Sequence, residues 1–100
     1  AGFGGNHCCF YSIYPLPAAD TLNIRIASSI NGIYEIWLAI NDTTRVVEIF
    51  DNYVSEGDFI LQIPFTENLH RDVVYRLFVE SIDTSKNETQ VHFGDVIWKK

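Results

Sequence analysis

The chain has 100 residues, enough for one domain of ordinary size, and 47% of them are hydrophobic, which excludes a disordered segment. Its net charge of −6 leaves no basic patch to displace counterions from phosphates, so nucleic acid is not an expected partner and an anionic membrane surface is disfavoured. No apolar run is long enough to span a bilayer, and no basic, then apolar, leader opens the chain, so neither a membrane span nor a signal peptide is expected.

Ala1 to Asn6 carries three glycines and reads as a loose arm; Cys8 to Tyr14 is apolar and aromatic and reads as a first strand. Residues 1–13 are therefore set apart as arm and first strand, and residues 14–100 as the folded domain. Cys8 and Cys9 are adjacent, and neighbouring residues meet disulfide geometry only with strain, so two free thiols are expected. His7-Cys8-Cys9 has no second ligand pair, which disfavours zinc, and a lipid-modified cysteine is a further reading that is not favoured. Pro15 and Pro17 close the segment.

Thr21 to Ala27 alternates, with Leu22, Ile24 and Ile26 on one face and Thr21, Asn23 and Arg25 on the other. Asn31-Gly32 is a strong two-residue hairpin signal. Three runs come next, Gly32–Ile40, Arg45–Phe50 and Asp58–Phe65, and read as an antiparallel meander with one face buried. Both parities of the middle run are apolar, as suits a strand covered on both faces or an edge strand under a loop. Trp37 falls on the outward parity of the first run, within a second apolar patch. Thr66 to Asp72 is polar and reads as a crossover loop. Val73, Tyr75, Leu77 and Val79 alternate inward against Arg76 and Glu80, and Thr89 to Trp98 is the last strand, with a bulge or bend expected at Gly94-Asp95. About seven strands with no helical period predict an all-β, antiparallel, immunoglobulin-like β-sandwich; a barrel is the alternative.

Tyr14-Pro15-Leu16-Pro17-Ala18-Ala19-Asp20-Thr21-Leu22-Asn23-Ile24 resembles the opening of the C-terminal sorting domains of the type IX (Por) secretion system of Bacteroidetes, which commonly begin Tyr-Pro-Asn-Pro-Ala followed by alternating Leu and Ile. Arg45-Val46-Val47, Gly57 with Phe59 and Leu61, and Tyr75-Arg76-Leu77 are similar to later steps of that pattern, and the chain ends in lysine as many members do. The likeness spans about residues 14 to 100 and extends to the immunoglobulin-like domain of hook-capping proteins and to small secreted sandwich proteins of gut Bacteroidetes. Leu16 stands where the family usually has Asn, the Asn41-Asp42-Thr43-Thr44 turn lacks the family's glycine, and Asp72 stands where a glycine usually precedes the penultimate strand; Asn and Asp also tolerate the left-handed backbone. The resemblance implies a secreted or cell-surface, extracytoplasmic interaction module, read by secretion or cell-surface machinery. Val96, Ile97, Trp98, Lys99 and Lys100 are the segment expected to be read.

No nucleophile elbow, paired catalytic carboxylates or phosphate loop is visible, so the reading is not an enzyme and involves no cofactor. His92 beside Phe93 reads as a structural residue, and His70 as a solvated one. Asn41-Asp42 and the Asp51 to Asp58 stretch are rich in oxygen ligands, but turn chemistry explains them without calcium. The alternative class is a secreted glycan-binding module using surface aromatics, Trp37 and Trp98 foremost; an inhibitor or a structural spacer completes the readings.

Overall fold

The computed structural model describes residues 9–28, 31–41 and 44–99, with side chains from residue 12 onward. Seven strands form two sheets: β1 (Cys9–Tyr14), β2 (Thr21–Ser28) and β5 (Gly57–Pro64) in one, and β3 (Gly32–Ile40), β4 (Thr44–Val54), β6 (Val74–Asp83) and β7 (Glu88–Ile97) in the other. The orders are β1-β2-β5 and β4-β3-β6-β7, and all these pairings are antiparallel. This is the expected immunoglobulin-like sandwich, with its fourth strand hydrogen-bonded to the third rather than to the fifth.

Period-two alternation supplies the core. Leu22, Ile24 and Ile26 of β2, Tyr34, Ile36 and Leu38 of β3, and Tyr75, Leu77 and Val79 of β6 are buried, each at 1% exposure or less. Removing these side chains from water is the main stabilising term, about 1.5–3 kcal/mol for each large aliphatic residue.

Two expectations about connectivity are corrected. The Asn31-Gly32 pair does not close a hairpin, because β2 and β3 lie in different sheets. Gly32 is needed for a close approach: a Cβ there would lie 2.0 Å from the carbonyl oxygen of Ile82. Asn31 instead ties neighbouring turns together, its side-chain oxygen accepting from Glu56 N at 2.7 Å and its carbonyl from Thr84 Oγ1 at 3.2 Å. The predicted three-run meander is likewise broken, since the third run, β5, pairs with β2 across the sandwich. Asp51 and Asn52, read as loop residues, belong to β4.

The mixed parity of β4 has a geometric cause. Ile36 pairs with Phe50 but Trp37 with Glu48, and Leu38 pairs with Val47 but Ala39 with Arg45. Ile49 and Val46 are thus extra residues at two bulges, and each bulge flips the parity of the residues beyond it. β7, by contrast, keeps one register with β6 from Glu88 to Ile97, so the bulge expected at Gly94-Asp95 is absent.

The lead-in to β2 meets the segment that follows β7. Ala18 forms a parallel bridge with Trp98, through Ala18 N to Ile97 O at 3.0 Å and Lys99 N to Ala18 O at 2.7 Å. The Trp98 indole donates to the carbonyl oxygen of Asp20 at 3.2 Å, and its ring packs edge-on against Tyr75. Arg71, in the crossover loop, clamps this junction by donating to Ala19 O, Lys99 O and the Asp20 carboxylate while lying over the Phe65 ring.

Candidate functional site

Once the core is closed, chemistry-bearing side chains among the described residues remain on the outer faces of the sheets and in a cleft. The cleft opens between the edges of β4 and β5, holds about 190 Å3 and is lined by Val47, Ile49, Gln62 and Leu69 among others. It is smaller than an ordinary small-molecule pocket.

The outer face of the four-stranded sheet is the more distinctive surface. Trp37 of β3 pairs in register with Phe78 of β6, and Phe78 with Phe93 of β7. Trp37 and Phe78 stack with centroids 5.3 Å apart, and Phe78 and Phe93 are 5.9 Å apart. Arg45, reaching in from β4, lies 3.8 Å from the centre of the Trp37 ring, and Arg76 lies 4.6 Å from that of Phe93. The result is a row across the sheet, guanidinium, three aromatic rings, guanidinium. Each ring pair contributes about 0.5–1.5 kcal/mol beyond area burial, and each exposed cation–π contact about 0.5–1 kcal/mol.

Acidic groups hold the arginines in place. Arg45 donates to Glu35 at 2.9 Å and lies 3.8 Å from Glu48; Arg76 donates to Asp95 at 3.0 Å. The hydrogen bond from Arg45 pulls the Glu35 carboxyl below the ordinary range. Glu48 moves the other way, chiefly because it shares a hydrogen bond with Glu35, then through its own desolvation and the negative charges of Glu35 and Asp51. Carboxylate oxygens of Glu35, Glu48 and Asp51 lie within 4.8 Å of one another. Glu35 and Glu48 are already engaged with Arg45, Asp51 is exposed, and nothing in the arrangement marks an ion site.

The same face carries more apolar surface. Ile33, Tyr53, Val74, Val91 and Phe93 are all exposed, Phe93 at 52% and Val91 at 49%. The outer face of the three-stranded sheet is different: it presents Ser12, Asn23, Arg25, Asp58 and Gln62, with Tyr14 and Ile60 its exposed large apolar residues among those described.

The residues singled out from sequence separate into two groups. Trp37 is outward, as expected, and half-buried. Its ring is enclosed by Arg45 and Phe78 from the strands on either side of β3, so its faces are not open for stacking on a sugar. Val96 and Trp98 are core residues, at 1% and 0% exposure, and neither offers a surface. Ile97 is half-buried, Lys99 is exposed, and Lys100 lies outside the described residues. His7, Cys8 and the Cys9 side chain also lie outside them, as do Asp42 and Thr43 of the predicted turn. His92 is buried and inward-facing; His70 is exposed, with its backbone N–H bound to the Tyr75 hydroxyl.

Phe78, Phe93, Val91, Arg45 and Arg76 were not among the expected site residues. A signal for Phe78 was present: it shares the polar parity of Arg76 and Glu80 on an alternating strand.

No family model, no curated protein and no solved structure matches the chain.

Proposed function

We propose that this protein is a non-catalytic, extracytoplasmic β-sandwich module that docks a protein partner through the outer face of its four-stranded sheet. The observation that carries the reading is the asymmetry of the two outer faces. Among the described residues one is mainly polar, with Tyr14 and Ile60 exposed; the other bears an aromatic row between two arginines and, besides Phe93 of that row, four exposed apolar side chains. Aromatic residues and arginine are the types enriched at the energetic centres of protein interfaces. The likeness of Tyr14 to Ile24 to type IX sorting domains supports a partner within secretion or cell-surface machinery. The burial of Val96 and Trp98 moves the proposed contact from the C-terminal segment to the sheet face.

The test is delivery of a reporter fused to the whole chain in a host with type IX secretion. Surface or extracellular reporter is expected, and intracellular retention removes the sorting role. Val91→Asp with Phe93→Asp, both at exposed positions, should abolish delivery while leaving the fold intact. Unchanged delivery by that variant removes the sheet face from the function.

A further inference from the structure

The four edge strands are unequal. β4 is broken by two bulges and bears Arg45, Glu48 and Asp51. β5 ends in Pro64, begins at a glycine in the left-handed half of backbone space and carries the Arg25–Asp58 ion pair at its start. β1 has six residues and runs straight into Pro15. Bulges, prolines, charges and short length are the devices that keep sheet edges from pairing with other chains. β7 uses few of them: it is ten residues long, unbulged and free of proline and lysine, with Val91 and Phe93 exposed at its middle.

The direction of its free backbone groups is set by the junction at its end. Trp98 O accepts from Asp72 N on the β6 side, whereas Ile97 O and Lys99 N bond to Ala18 on the opposite side. Peptide groups alternate sides along a strand. Thr89, Val91, Phe93 and Asp95 therefore turn their N–H and C=O groups toward the outer edge of the sheet, with which no described strand pairs. The same residues place their side chains on the aromatic outer face, next to Ile82, Glu80, Phe78 and Arg76 respectively. Backbone donors and acceptors and exposed apolar side chains thus coincide on one line.

Resting on the protein-docking reading, we infer that the partner engages β7 by adding an extended segment as a fifth strand of this sheet. Backbone pairing along Thr89 to Asp95 supplies affinity, and side chains of the added strand that meet Val91 and Phe93 supply selectivity. Charge fixes the rest of the occupant's chemistry. The face carries Glu35, Glu48, Asp51, Glu80 and Asp95 against Arg45 and Arg76, and the whole chain carries −6. The occupant is accordingly an extended segment with alternating apolar side chains flanked by lysine or arginine. A second copy of this acidic chain would bring like charges together.

The test uses the whole chain and a synthetic peptide alternating valine with threonine between terminal lysines, with amide hydrogen exchange read by NMR. Bound peptide should slow exchange at Val91, Phe93 and Asp95 by about tenfold or more, while Gln90 and His92, already bonded toward β6, stay unchanged. Val91→Lys, at an exposed position, should weaken peptide binding by about tenfold or more through its edge charge and leave the spectrum otherwise folded. Absence of peptide binding overturns the inference. So does binding that leaves those three amides unprotected, although side-chain docking on the sheet face would then survive. Protection of the same amides without peptide, with dimers in sedimentation, makes a second copy the occupant and also overturns it. Slowed exchange at β7 with no reporter delivery removes the sorting role and leaves strand addition standing.

Discussion

The Tyr75 hydroxyl accepts the backbone N–H of His70 at 2.7 Å, joining the start of β6 to the crossover loop that feeds it. This is a tyrosine corner, the device by which immunoglobulin-like sandwiches pin the loop between their two sheets. The ring itself is buried against Trp98, so the hydroxyl is the polar end of a core residue. Tyr75→Phe keeps the aromatic contact and leaves a part-buried N–H without its acceptor. The variant is expected to lose about 1–2 kcal/mol of stability by urea denaturation, with an unchanged denaturant slope.

Gly32 is a sharper case. The backbone of β3 begins so close to the end of β6 that any Cβ would press on the Ile82 carbonyl at 2.0 Å. That neighbour is backbone, bound into the β3–β6 ladder through the Ile33–Ile82 and Gly32–Asp83 pairs, and it cannot swing aside as a side chain would. Gly32→Ala should therefore cost about 2 kcal/mol or more, read as a lowered thermal midpoint. An unperturbed midpoint would mean that the two strands part more readily at this end than their pairing implies.

How far the fold is legible depends on the kind of information each residue carries. Alternation names the inner face of a strand, and Leu22, Ile24, Ile26, Tyr34, Leu77 and Val79 are all buried as their parity requires. Alternation does not say which sheet a strand joins. That is why β5, following β4 after a short turn, reads as its hairpin partner although it pairs with β2. The bulges at Ile49 and Val46 hide for a related reason: they are visible only against the register of β3. The aromatic row depends on the registers of three strands at once. Trp37 is visible as an outward residue, but that Phe78 and Phe93 stand level with it is a tertiary fact.

Backbone conformation at Asp72 offers a separate test. Its φ is 64°, the left-handed region, at the position where the resembled family carries glycine. Asp tolerates this conformation better than branched residues do, since its short side chain can bond locally. Asp72→Gly should be neutral or slightly stabilising, losing only the exposed Lys99–Asp72 pair at 3.7 Å. Asp72→Val should lose about 1–2 kcal/mol relative to glycine. Paired denaturation curves of the two variants give the comparison, and equal stabilities would contradict the left-handed assignment.

Arg71, half-buried in the crossover loop, holds several segments of the fold together. Its guanidinium donates to Ala19 O at 2.6 Å, Lys99 O at 2.8 Å and Asp20 Oδ1 at 3.2 Å, and covers the Phe65 ring at 4.2 Å. These partners come from the lead-in to β2, the end of the chain and the segment after β5. A lysine has the charge but neither the planar fork nor the stacking surface. Arg71→Lys is expected to cost about 1–2 kcal/mol, with faster amide exchange at Ala18 and Lys99 as the bridge beside Trp98 loosens.

The carboxylates beside Trp37 make stability depend on pH in two opposing ways. Glu35 is held below its ordinary range by the hydrogen bond from Arg45, so its contribution is present above the unfolded value and lost as pH falls through the folded one. Glu48 is shifted upward, first through the hydrogen bond it shares with Glu35 and then by desolvation and the nearby negative charges. An acid with a raised folded value favours the folded state when protonated, and that advantage is lost as pH rises through the raised value. Glu48→Gln removes the charge permanently. At neutral pH the variant should be slightly more stable than the parent protein, and the difference should vanish as pH falls through the carboxylate range and Glu48 itself becomes neutral. Thermal midpoints of both proteins across that range decide it: a stabilisation that persists unchanged in acid would mean that lost charge repulsion is not its source. Glu35→Gln should do the reverse, destabilising most at neutral pH, because Arg45 then loses the carboxylate that holds it over Trp37.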